Sequence, residues 1–312
     1  MNKDVHVVSF SGGRTSAYLV YLMEQKRTLE GWDVHYIFMD TGAEHPETYK
    51  FIKKMVNEWD IKLVCLRADI NPKLGVGVTY REVGIDELKP DLQPWRDMVA
   101  KYGLPTINAP RCTSRMKTEP HDKYCDKRWG IGNYQTWLGI RVDEPYRLKH
   151  FGKTIDMFDD KSPRRPIRYL AEISGYQKGD INEWWDKQEF NLNLPEHLGN
   201  CVFCIKKHEM KLIAAAQSEP LMADEFHSVL NSESVRILPN QPFEGDVIYR
   251  GHLSMSGVIR LSAQLPHESV MESISMKEVF EETDPTICSE SCEVFSSPEE
   301  FELEQYVDGN AA

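Results

Sequence analysis

The sequence has no long hydrophobic run, and none of its segments approaches the roughly 18 consecutive apolar residues of a membrane-spanning helix. Its first residues also lack the apolar core of a secretory signal peptide, because the first predicted strand begins near Val5. We therefore expect a cytoplasmic protein without a membrane partner. With 312 residues, the chain is long enough to bury a large core in one or two domains.

Cysteine is scarce, with seven residues in 312, and the predicted compartment does not favour disulfides. Clustered cysteines in such a protein more often bind metal or carry out redox chemistry. Cys201 and Cys204 form such a cluster. Cys65 instead lies in an apolar strand pattern and is predicted to be a buried apolar side chain.

Basic residues are almost absent from the end of the chain. Residues 265–312 contain 13 acidic residues and one basic residue, Lys277, so this segment carries the whole net charge of −12. The preceding 264 residues are balanced, with 36 basic and 36 acidic side chains, and overall acidity therefore does not exclude a nucleic-acid partner. The composition of 265–312 predicts a flexible acidic tail or a docking segment.

Two familiar phosphate-binding loops are also missing, because the chain has neither the Gly-Lys-Ser/Thr ending of a Walker A loop nor three spaced glycines. Instead, an apolar strand at 5–10 leads into a small-residue loop and then a helical pattern. Glycines let backbone N–H groups approach an anion, and a helix N-terminus attracts negative charge. The predicted nucleotide-binding residues of this loop are Ser11, Gly12, Gly13, Arg14, Thr15 and Ser16.

The order of predicted elements indicates an α/β fold with an open, twisted parallel sheet and helices on both faces. Predicted strands cover 5–10, 33–39, 61–66 and 134–140, and predicted helices cover 16–26, a segment from Pro46, 112–129, 180–190 and 201–217. Residues 67–110 are predicted to be an insertion or a lid, and 235–260 short β segments. We assign 1–190 to a nucleotide-binding domain (with an insertion at 67–133), 191–264 to a cysteine-bearing segment and 265–312 to the tail.

Polar segments follow the strands at the edge where ligands of open parallel sheets bind. The candidate residues there are Asp40, Thr41 and Gly42 after the second strand, and Gly139, Arg141 and Arg147 after the fourth. A carboxylate at Asp40 can accept from a ribose or adenine, or hold Mg²⁺ through water. The forked donors of Arg141 and Arg147 suit phosphate or sulfate, so we predict catalytic roles for these three residues.

These motifs resemble a known superfamily. The loop matches the SGGxxS signature of the PP-loop ATP pyrophosphatases, and the segments 40–49 (DTGxxxPETY) and 139–147 (GIRxDEPxR) resemble its phosphoadenosine phosphosulfate reductase branch. The segment 111–120 is similar to one found in that branch and in the related DNA phosphorothioation sulfurtransferases. Over residues 5–210 the resemblance implies an adenine nucleotide α-hydrolase-like fold. Thr15 stands where the superfamily has an acidic residue.

The resemblance also implies a [4Fe–4S] cluster, because the family pairs the cysteine of the 111–120 segment with a later Cys-x-x-Cys. The implied ligands are therefore Cys112, Cys201 and Cys204. The reductases carry two adjacent cysteines where this chain has Arg111 and Cys112, so the fourth ligand stays open. Cys125, Cys288 or Cys292 are candidates, and three cysteines would otherwise leave one iron open to bind sulfur.

Two other uses of these cysteines stay open at this point. His208 lies four residues after Cys204, so a Cys₃His zinc site with Cys112 and Cys201 is one. A redox disulfide between Cys201 and Cys204 is the other. One of the tail cysteines could act as a mobile nucleophile, although the acidic residues around them oppose a low thiol pKa.

The leading functional hypothesis is an enzyme that binds ATP with Mg²⁺, adenylates a substrate with release of pyrophosphate, and delivers sulfur through an iron–sulfur cluster. Alternatives are a sulfonucleotide reductase, and a nucleotide-binding regulatory or anti-defence protein without turnover. Expected partners are an adenine nucleotide, a DNA or tRNA acceptor, and a sulfur-donor or electron-donor protein. The basic run 164–168 is a candidate contact for nucleic-acid phosphates.

Overall fold

The computed structural model describes residues 5–107, 109–150, 167–238, 247–249 and 252–278. Its main element is a six-stranded sheet in the order β4-β3-β2-β1-β5-β6, in which β4 is antiparallel to β3 and every other pairing is parallel. The strands are β1 (Val5–Phe10), β2 (Asp33–Met39), β3 (Leu63–Asp69), β4 (Thr79–Val83), β5 (Tyr134–Leu138) and β6 (Ile167–Tyr169). The predicted parallel α/β fold is confirmed.

Helices surround this sheet. They are α1 (Arg14–Gln25), α2 (Pro46–Trp59), α3 (Gln93–Tyr102), α4 (Arg111–Thr113), α5 (Glu119–Trp129), α6 (Pro145–His150), α7 (Lys178–Asp186), α8 (Glu209–Ser218), α9 (Pro220–Leu230), α10 (Met255–Gln264) and α11 (His267–Glu278). A π-helical turn extends α1 over Lys26–Glu30, and another joins α4 to α5 over Ser114–Thr118. A short antiparallel ribbon, β7 (Val247–Tyr249) with β8 (Leu253–Ser254), precedes α10.

The sheet is apolar on both faces, which explains the nearly continuous hydrophobic runs of its central strands. Along β1, Val7 belongs to one core cluster and Val8 to the other. The cluster around Val8 includes apolar residues of α1 and α2, and the cluster around Val7 includes Tyr124 of α5. The helices therefore cover both faces, as the sequence predicts.

Residues 67–110, predicted to be an insertion or a lid, contain β4 and α3. Two predicted elements differ from the structure. The predicted helix at 201–217 begins only at Glu209, where the His208 ring accepts from the Met210 backbone N–H, and residues 201–207 are mostly turns. Within the predicted short β segments of 235–260, residues from Met255 onward are helical.

The start of the predicted flexible tail is helical in the structure. Helix α11 packs on α8, where Val270 and Ile274 meet Ile213 and Ala214. The rest of the tail, with Cys288 and Cys292, lies outside the described residues, as does most of the basic run 164–168. In the described ranges, the structure contains no helix with the length and hydrophobicity of a membrane span.

Candidate functional site

In the loop after β1, a glycine adopts a backbone conformation that other residues rarely take, and two serines hydrogen-bond across the loop. Gly12 has φ of +85°, and a Cβ built there would lie 2.8 Å from Cγ2 of Thr48. The Ser16 hydroxyl accepts from the Ser11 backbone N–H at 3.2 Å and lies 2.8 Å from the Ser11 hydroxyl. Gly12 therefore packs closely against α2 in a conformation that favours glycine, and the two serine hydroxyls hold the ends of the loop together.

Helix α1 begins directly behind this loop with Gly13 as an extended N-cap that supplies no side-chain acceptor. The first-turn N–H groups of α1 are therefore not capped by a side chain. The Thr48 hydroxyl is 2% exposed and has no hydrogen-bond partner among the residues described. These donors fit a bound phosphate group.

Two other loop side chains anchor the loop to the rest of the fold. The Arg14 guanidinium donates to Oδ1 of Asn191 at 2.9 Å and to the Leu192 carbonyl, while the Arg14 carbonyl accepts from the Trp185 indole at 2.9 Å. Thr15 is 1% exposed and accepts from Nη1 of Arg141 at 3.2 Å. The segment after β5 therefore meets the loop, as the sequence predicts.

The two predicted arginines after β5 share one carboxylate. Glu144 receives the Arg141 backbone N–H at 3.0 Å and Nη1 of Arg147 at 2.7 Å. The Arg141 side chain is 3% exposed and also donates from Nε to Asp143 at 2.8 Å. Glu144 thus holds the two arginines together at the carboxyl end of β5, where Gly139 follows the strand.

Asp40, at the end of β2, lies in a buried ion pair. Its Oδ2 accepts from Nε of Arg67 at 2.6 Å, and its Oδ1 accepts from the Gly42 N–H at 2.9 Å and the Tyr49 hydroxyl at 2.8 Å. Asp40 is 0% exposed and Arg67 is 4% exposed. Burial and the neighbouring Glu44 raise the pKa of Asp40 to about 6, against the opposing effect of Arg67. Asp40 therefore stabilises the loop after β2 and is not accessible to solvent.

The three predicted cluster cysteines line one cavity, which we call the cysteine cavity. It is narrow and partly open to solvent, with a volume of about 10 Å³, which is room for about one water molecule. Its lining residues are Thr41, Trp95, Cys112, Thr113, Met116, Lys117, Cys201, Cys204, Ile205 and Lys206. Among the described residues, no three His, Cys, Asp or Glu side chains converge closely enough to coordinate one metal ion. The cysteines therefore share a cavity without forming a ready coordination sphere.

The cysteine cavity adjoins the end of β2. The Cys201 thiol lies 3.2 Å from the Thr41 hydroxyl and donates to Oε1 of Glu44 at 3.6 Å. Glu44 and Cys201 also form a β-bridge, beside which the Val202 N–H donates to the Ala43 carbonyl at 2.9 Å. Because β2 is hydrogen-bonded to β1, the cavity and the Ser-Gly-Gly loop follow neighbouring strands.

A buried lysine stabilises the segment that carries Cys201 and Cys204. Lys207 is 5% exposed, and its ammonium donates to the His197 carbonyl at 2.8 Å and the Val202 carbonyl at 2.9 Å. Asn200 takes a left-handed conformation with φ of +55° just before Cys201. These contacts explain why the chain turns here and does not continue as the predicted helix.

The arrangement separates His208 and Cys125 from the three cavity cysteines, and it leaves the redox disulfide between Cys201 and Cys204 a prediction. His208 caps α8 and is absent from the cavity lining, and Cys125 lies next to His121 in the core cluster around Val7. No disulfide joins Cys201 and Cys204. Of the proposed fourth ligands, Cys125 is therefore placed away from the cavity.

Several site residues were not predicted from the sequence. Arg67 could have been found, because it is a charged residue inside the apolar strand pattern LVCLRAD and needs a buried partner. Glu44 lies within a predicted motif, but its contact with Cys201 spans 157 positions and has no local signal. The same holds for Trp95 and Lys117, which reach the cavity from α3 and the turn after α4.

The sequence of this chain is similar to a known protein family and to several known proteins. The family model described as phosphoadenosine phosphosulfate reductase domain matches residues 5–161, which include the loop, Asp40, Cys112 and Arg141. The uncharacterized nin region protein ORF290 of Escherichia phage lambda is 45% identical over 302 residues, covering 96% of this chain and 98% of that protein.

Two further relatives are more distant. A phosphoadenosine 5'-phosphosulfate reductase of Alteromonas mediterranea is 37% identical over 68 residues, 22% of this chain and 26% of that protein. An uncharacterized protein of Methanocaldococcus jannaschii is 28% identical over 251 residues, 78% of this chain and 50% of its own length. Because the domain match spans half of the chain and contains the Ser-Gly-Gly loop and the segments after β2 and β5, the protein belongs to the phosphoadenosine phosphosulfate reductase family.

Proposed function

We propose that this protein binds MgATP at the Ser-Gly-Gly loop, adenylates an acceptor with release of pyrophosphate, and delivers sulfur to that acceptor from the cysteine cavity. One observation carries the proposal: Cys112 lies far in the sequence from the pair Cys201 and Cys204, yet all three line a cavity beside the strand that neighbours the loop. A nucleotide across this edge of the sheet would place its α-phosphate between the two regions.

In the first step, an acceptor oxygen attacks the α-phosphorus of ATP, the α–β phosphoanhydride bond breaks, and pyrophosphate leaves. The loop N–H groups and the hydroxyls of Ser11 and Thr48 would hold the departing pyrophosphate. Arg141 and Arg147 would stabilise negative charge once their contacts with Glu144 rearrange. Asp40 would keep the loop after β2 in place through Arg67 and Tyr49.

In the second step, hydrosulfide attacks the carbon that bears the adenylated oxygen, a carbon–sulfur bond forms, and the carbon–oxygen bond breaks as AMP leaves with that oxygen. The hydrosulfide is supplied by another protein, so this step consumes no electrons. Thiolates are the usual ligands of iron–sulfur clusters, so Cys112, Cys201 and Cys204 would be the residues to hold one, after a rearrangement that widens the narrow cavity and brings the three thiols together. A [4Fe–4S] cluster bound there would supply an iron that holds sulfur or passes electrons. DNA, tRNA and small molecules are all acceptors of suitable chemistry.

A second function is favoured by the family match itself. A sulfonucleotide reductase would use the same loop for the phosphate or sulfate end of a phosphosulfate nucleotide, and the protein with the matching 68-residue segment is named a phosphoadenosine 5'-phosphosulfate reductase. This reaction consumes two electrons and releases sulfite, whereas adenylation consumes none and releases pyrophosphate.

The test is an anaerobic preparation assayed on one sample for iron, acid-labile sulfide, and turnover of ATP and of adenosine phosphosulfates. Pyrophosphate release from ATP in the presence of an acceptor supports the first function. Sulfite release decides for the reductase. Tight nucleotide binding without either product would favour the third hypothesis, a regulatory or anti-defence protein.

Matched cysteine variants test the role of the cavity. Cys112→Ala is expected to abolish iron retention, since it removes one of three ligands, while leaving ATP binding intact. Cys65→Ala is the control: this buried thiol lies in β3, and burial raises its pKa to about 12, which makes it a poor ligand. Equal iron loss in both variants would contradict a cluster at the cysteine cavity.

A further inference from the structure

One segment of the chain carries more positive charge than the rest. Residues 101–128 contain seven Lys and Arg residues and three acidic residues, whereas residues 1–264 as a whole are balanced. The segment covers the end of α3, all of α4 and most of α5. Five of its cations belong to what we call the basic surface, namely Arg115, Lys123, Lys127 and Arg128, with the buried Lys101 beneath them.

Three of these cations lie close together. The Arg115 guanidinium and the Lys101 ammonium both lie over the Tyr102 ring, at 4.9 Å and 5.0 Å from its centroid. Lys101 is 4% exposed, and its burial, together with the charges of Arg115 and Lys123, lowers its pKa. Like charges at this spacing repel one another, so a bound anion would relieve the repulsion.

Carboxylates neutralise little of this charge. Among the described residues, Arg115 is the only cation of the basic surface with an ion-pair partner, which is Glu119. The ammonium groups of Lys101 and Lys123 donate instead to two backbone carbonyls in the loop between β3 and β4. A neutral carbonyl leaves the positive charge in place, and an ammonium with three donors can also donate to a phosphate. The surface therefore has the charge that a polyanion needs.

Aromatic rings lie beneath the two guanidinium groups. Arg115 lies over Tyr102, and Arg128 lies over Trp129 at 5.5 Å from the ring centroid. Both rings are half-buried. Nucleobases stack on guanidinium planes and on aromatic rings, and the bases of a single strand are free to do so. An acidic peptide has no equivalent group, so the pairing of cations with rings favours nucleic acid.

The basic surface leads to the candidate site. Arg115 lies three residues after Cys112, in the turn that also contains the cavity residue Lys117. Helix α5 then packs across β3 and β4 and ends shortly before β5 begins, so it runs from the carboxyl edge of the sheet towards the amino edge. Its 11 residues make it about 16 Å long. A strand bound along α5 would reach the edge at which the Ser-Gly-Gly loop lies.

We propose that the basic surface binds single-stranded nucleic acid and positions it along α5, with one end at the carboxyl edge of the sheet. Lys123 and Lys127 contact phosphates, and Arg115 and Arg128 stack on bases. The surface is independent of the reaction, but the identification of the bound strand as the acceptor rests on the proposed function. DNA and RNA share this chemistry, and the experiment distinguishes them.

The first measurement is the affinity of the full chain, without ATP, for labelled oligodeoxyuridylate and oligouridylate of about 12 nucleotides. The tighter of the two identifies the sugar. Lys123→Glu combined with Lys127→Glu removes two phosphate contacts from an exposed helix face. The slope of log affinity against log salt concentration should fall by about 1.4, and affinity at about 0.1 M salt should fall at least about tenfold.

Lys50→Glu combined with Lys54→Glu is the matched control. These lysines are also exposed and four residues apart on one helix, α2, so the double change alters the net charge equally. Helix α2 packs on the opposite face of the sheet, in the core cluster around Val8. Exposed charges at that distance are screened by salt, so affinity should change by less than about twofold.

The second measurement separates stacking from charge. Arg128→Lys keeps the positive charge and removes the planar group. It should weaken oligonucleotide binding at least about fivefold, as expected for the loss of one stacked base. Binding of labelled inorganic polyphosphate, which has no bases, should stay unchanged.

The outcomes separate the two proposals. Equal oligonucleotide affinity in the α5 and α2 variants would overturn the basic surface. A labelled poly-glutamate peptide that binds as tightly as the oligonucleotide would overturn nucleic acid in favour of an acidic protein partner. Oligonucleotide binding by a protein that turns over neither ATP nor a phosphosulfate nucleotide would retain the inference and reject the proposed function. Pyrophosphate release with a small-molecule acceptor, without oligonucleotide binding, would do the reverse.

Discussion

The Ser-Gly-Gly loop and the cysteine cavity follow neighbouring strands, yet they are built in different ways. The loop comes from six consecutive residues, and its shape depends on the backbone of Gly12 and on the contact between Ser11 and Ser16. The cavity comes from four chain segments that contribute Thr41, Trp95, Cys112–Lys117 and Cys201–Lys206. A change in the loop acts through local sterics, whereas a change in the cavity acts through contacts between segments.

The two regions meet at the segment after β2. Asp40 lies in the buried network that connects this segment to β3, and Thr41 touches the Cys201 thiol. The comparison therefore predicts three classes of variant: those that damage both regions, those that damage only the loop, and those that damage only the cavity.

The largest effect is expected for Arg67→Met, which should damage both regions. It leaves the carboxylate of Asp40 without its cation, and breaking a buried pair in this way costs about 3–5 kcal/mol. The free energy of unfolding at pH 7 should fall by that amount in urea titrations. Arg96→Met is the control, since the exposed pair of Arg96 with Glu225 is worth under about 1 kcal/mol.

The stability that depends on Asp40 and its network changes with pH, and the direction of that change follows from the pKa of Asp40. The folded pKa of Asp40, about 6, lies above its ordinary 3.8, so the native state binds the proton more tightly and stability falls as pH rises from about 4 to 6. Removal of Arg67 raises that pKa further, so the deficit of Arg67→Met should shrink at pH 5. If Arg67→Met lost nucleotide binding but kept the wild-type free energy of unfolding, that result would instead indicate that Asp40 contacts substrate.

Gly12→Ala should damage the loop alone, with the next largest effect. Its left-handed backbone and the 2.8 Å approach to Thr48 together predict a destabilisation of about 2–4 kcal/mol and a loss of ATP binding. Gly75→Ala separates the two causes, because Gly75 has φ of +80° with nothing within 4 Å of the added Cβ. It should cost only about 1–2 kcal/mol and retain ATP. Similar ATP affinities in the two variants would contradict a phosphate site above Gly12.

Lys207→Met should damage the cavity alone. It removes the donor to two buried carbonyls, and unpaired groups of this kind cost about 1–3 kcal/mol. Iron retention should fall because the segment carrying Cys201 and Cys204 loosens, while ATP affinity stays unchanged. Lys187→Met, at an exposed lysine paired with Glu183, is the control and should alter neither property. Loss of ATP binding in Lys207→Met would show that the two regions are not separate.

The smallest effect concerns His197, next to the cavity segment. Burial, with a contribution from Lys207, lowers the pKa of His197 to about 4 from an ordinary 6.5. The unfolded state therefore takes up the proton first, and the stability from neutral His197 is present above pH 6.5 and is lost as pH falls towards 4. Thermal unfolding across this range should show the loss in wild type and a smaller loss in His197→Gln. If the stability of wild type and of His197→Gln fell equally with falling pH, the result would contradict a buried neutral imidazole at His197.

The elements predicted well are those with strong local signals. Strands β1 and β2 match their predicted bounds, and α2 begins at Pro46 as expected, because the His45 ring accepts from the Glu47 N–H and proline suits the first turn. Strand β4 was missed because its residues are mostly exposed and carry no apolar alternation. The helix predicted from Cys201 was wrong because contacts with Ala43, Glu44 and Lys207 stabilise turns instead.

Sequence alone determined the mostly parallel α/β sheet, the position of the Ser-Gly-Gly loop between β1 and α1, and the family, since each depends on residues that are close together in the chain or on hydrophobic periodicity. Only the tertiary structure decided that Asp40 is bound by Arg67, that Glu44 reaches Cys201, and that Trp95 lines the cavity with the three cysteines. These contacts join positions tens to more than a hundred residues apart. They form because the order and twist of the strands bring loop ends to one edge, which no local pattern records.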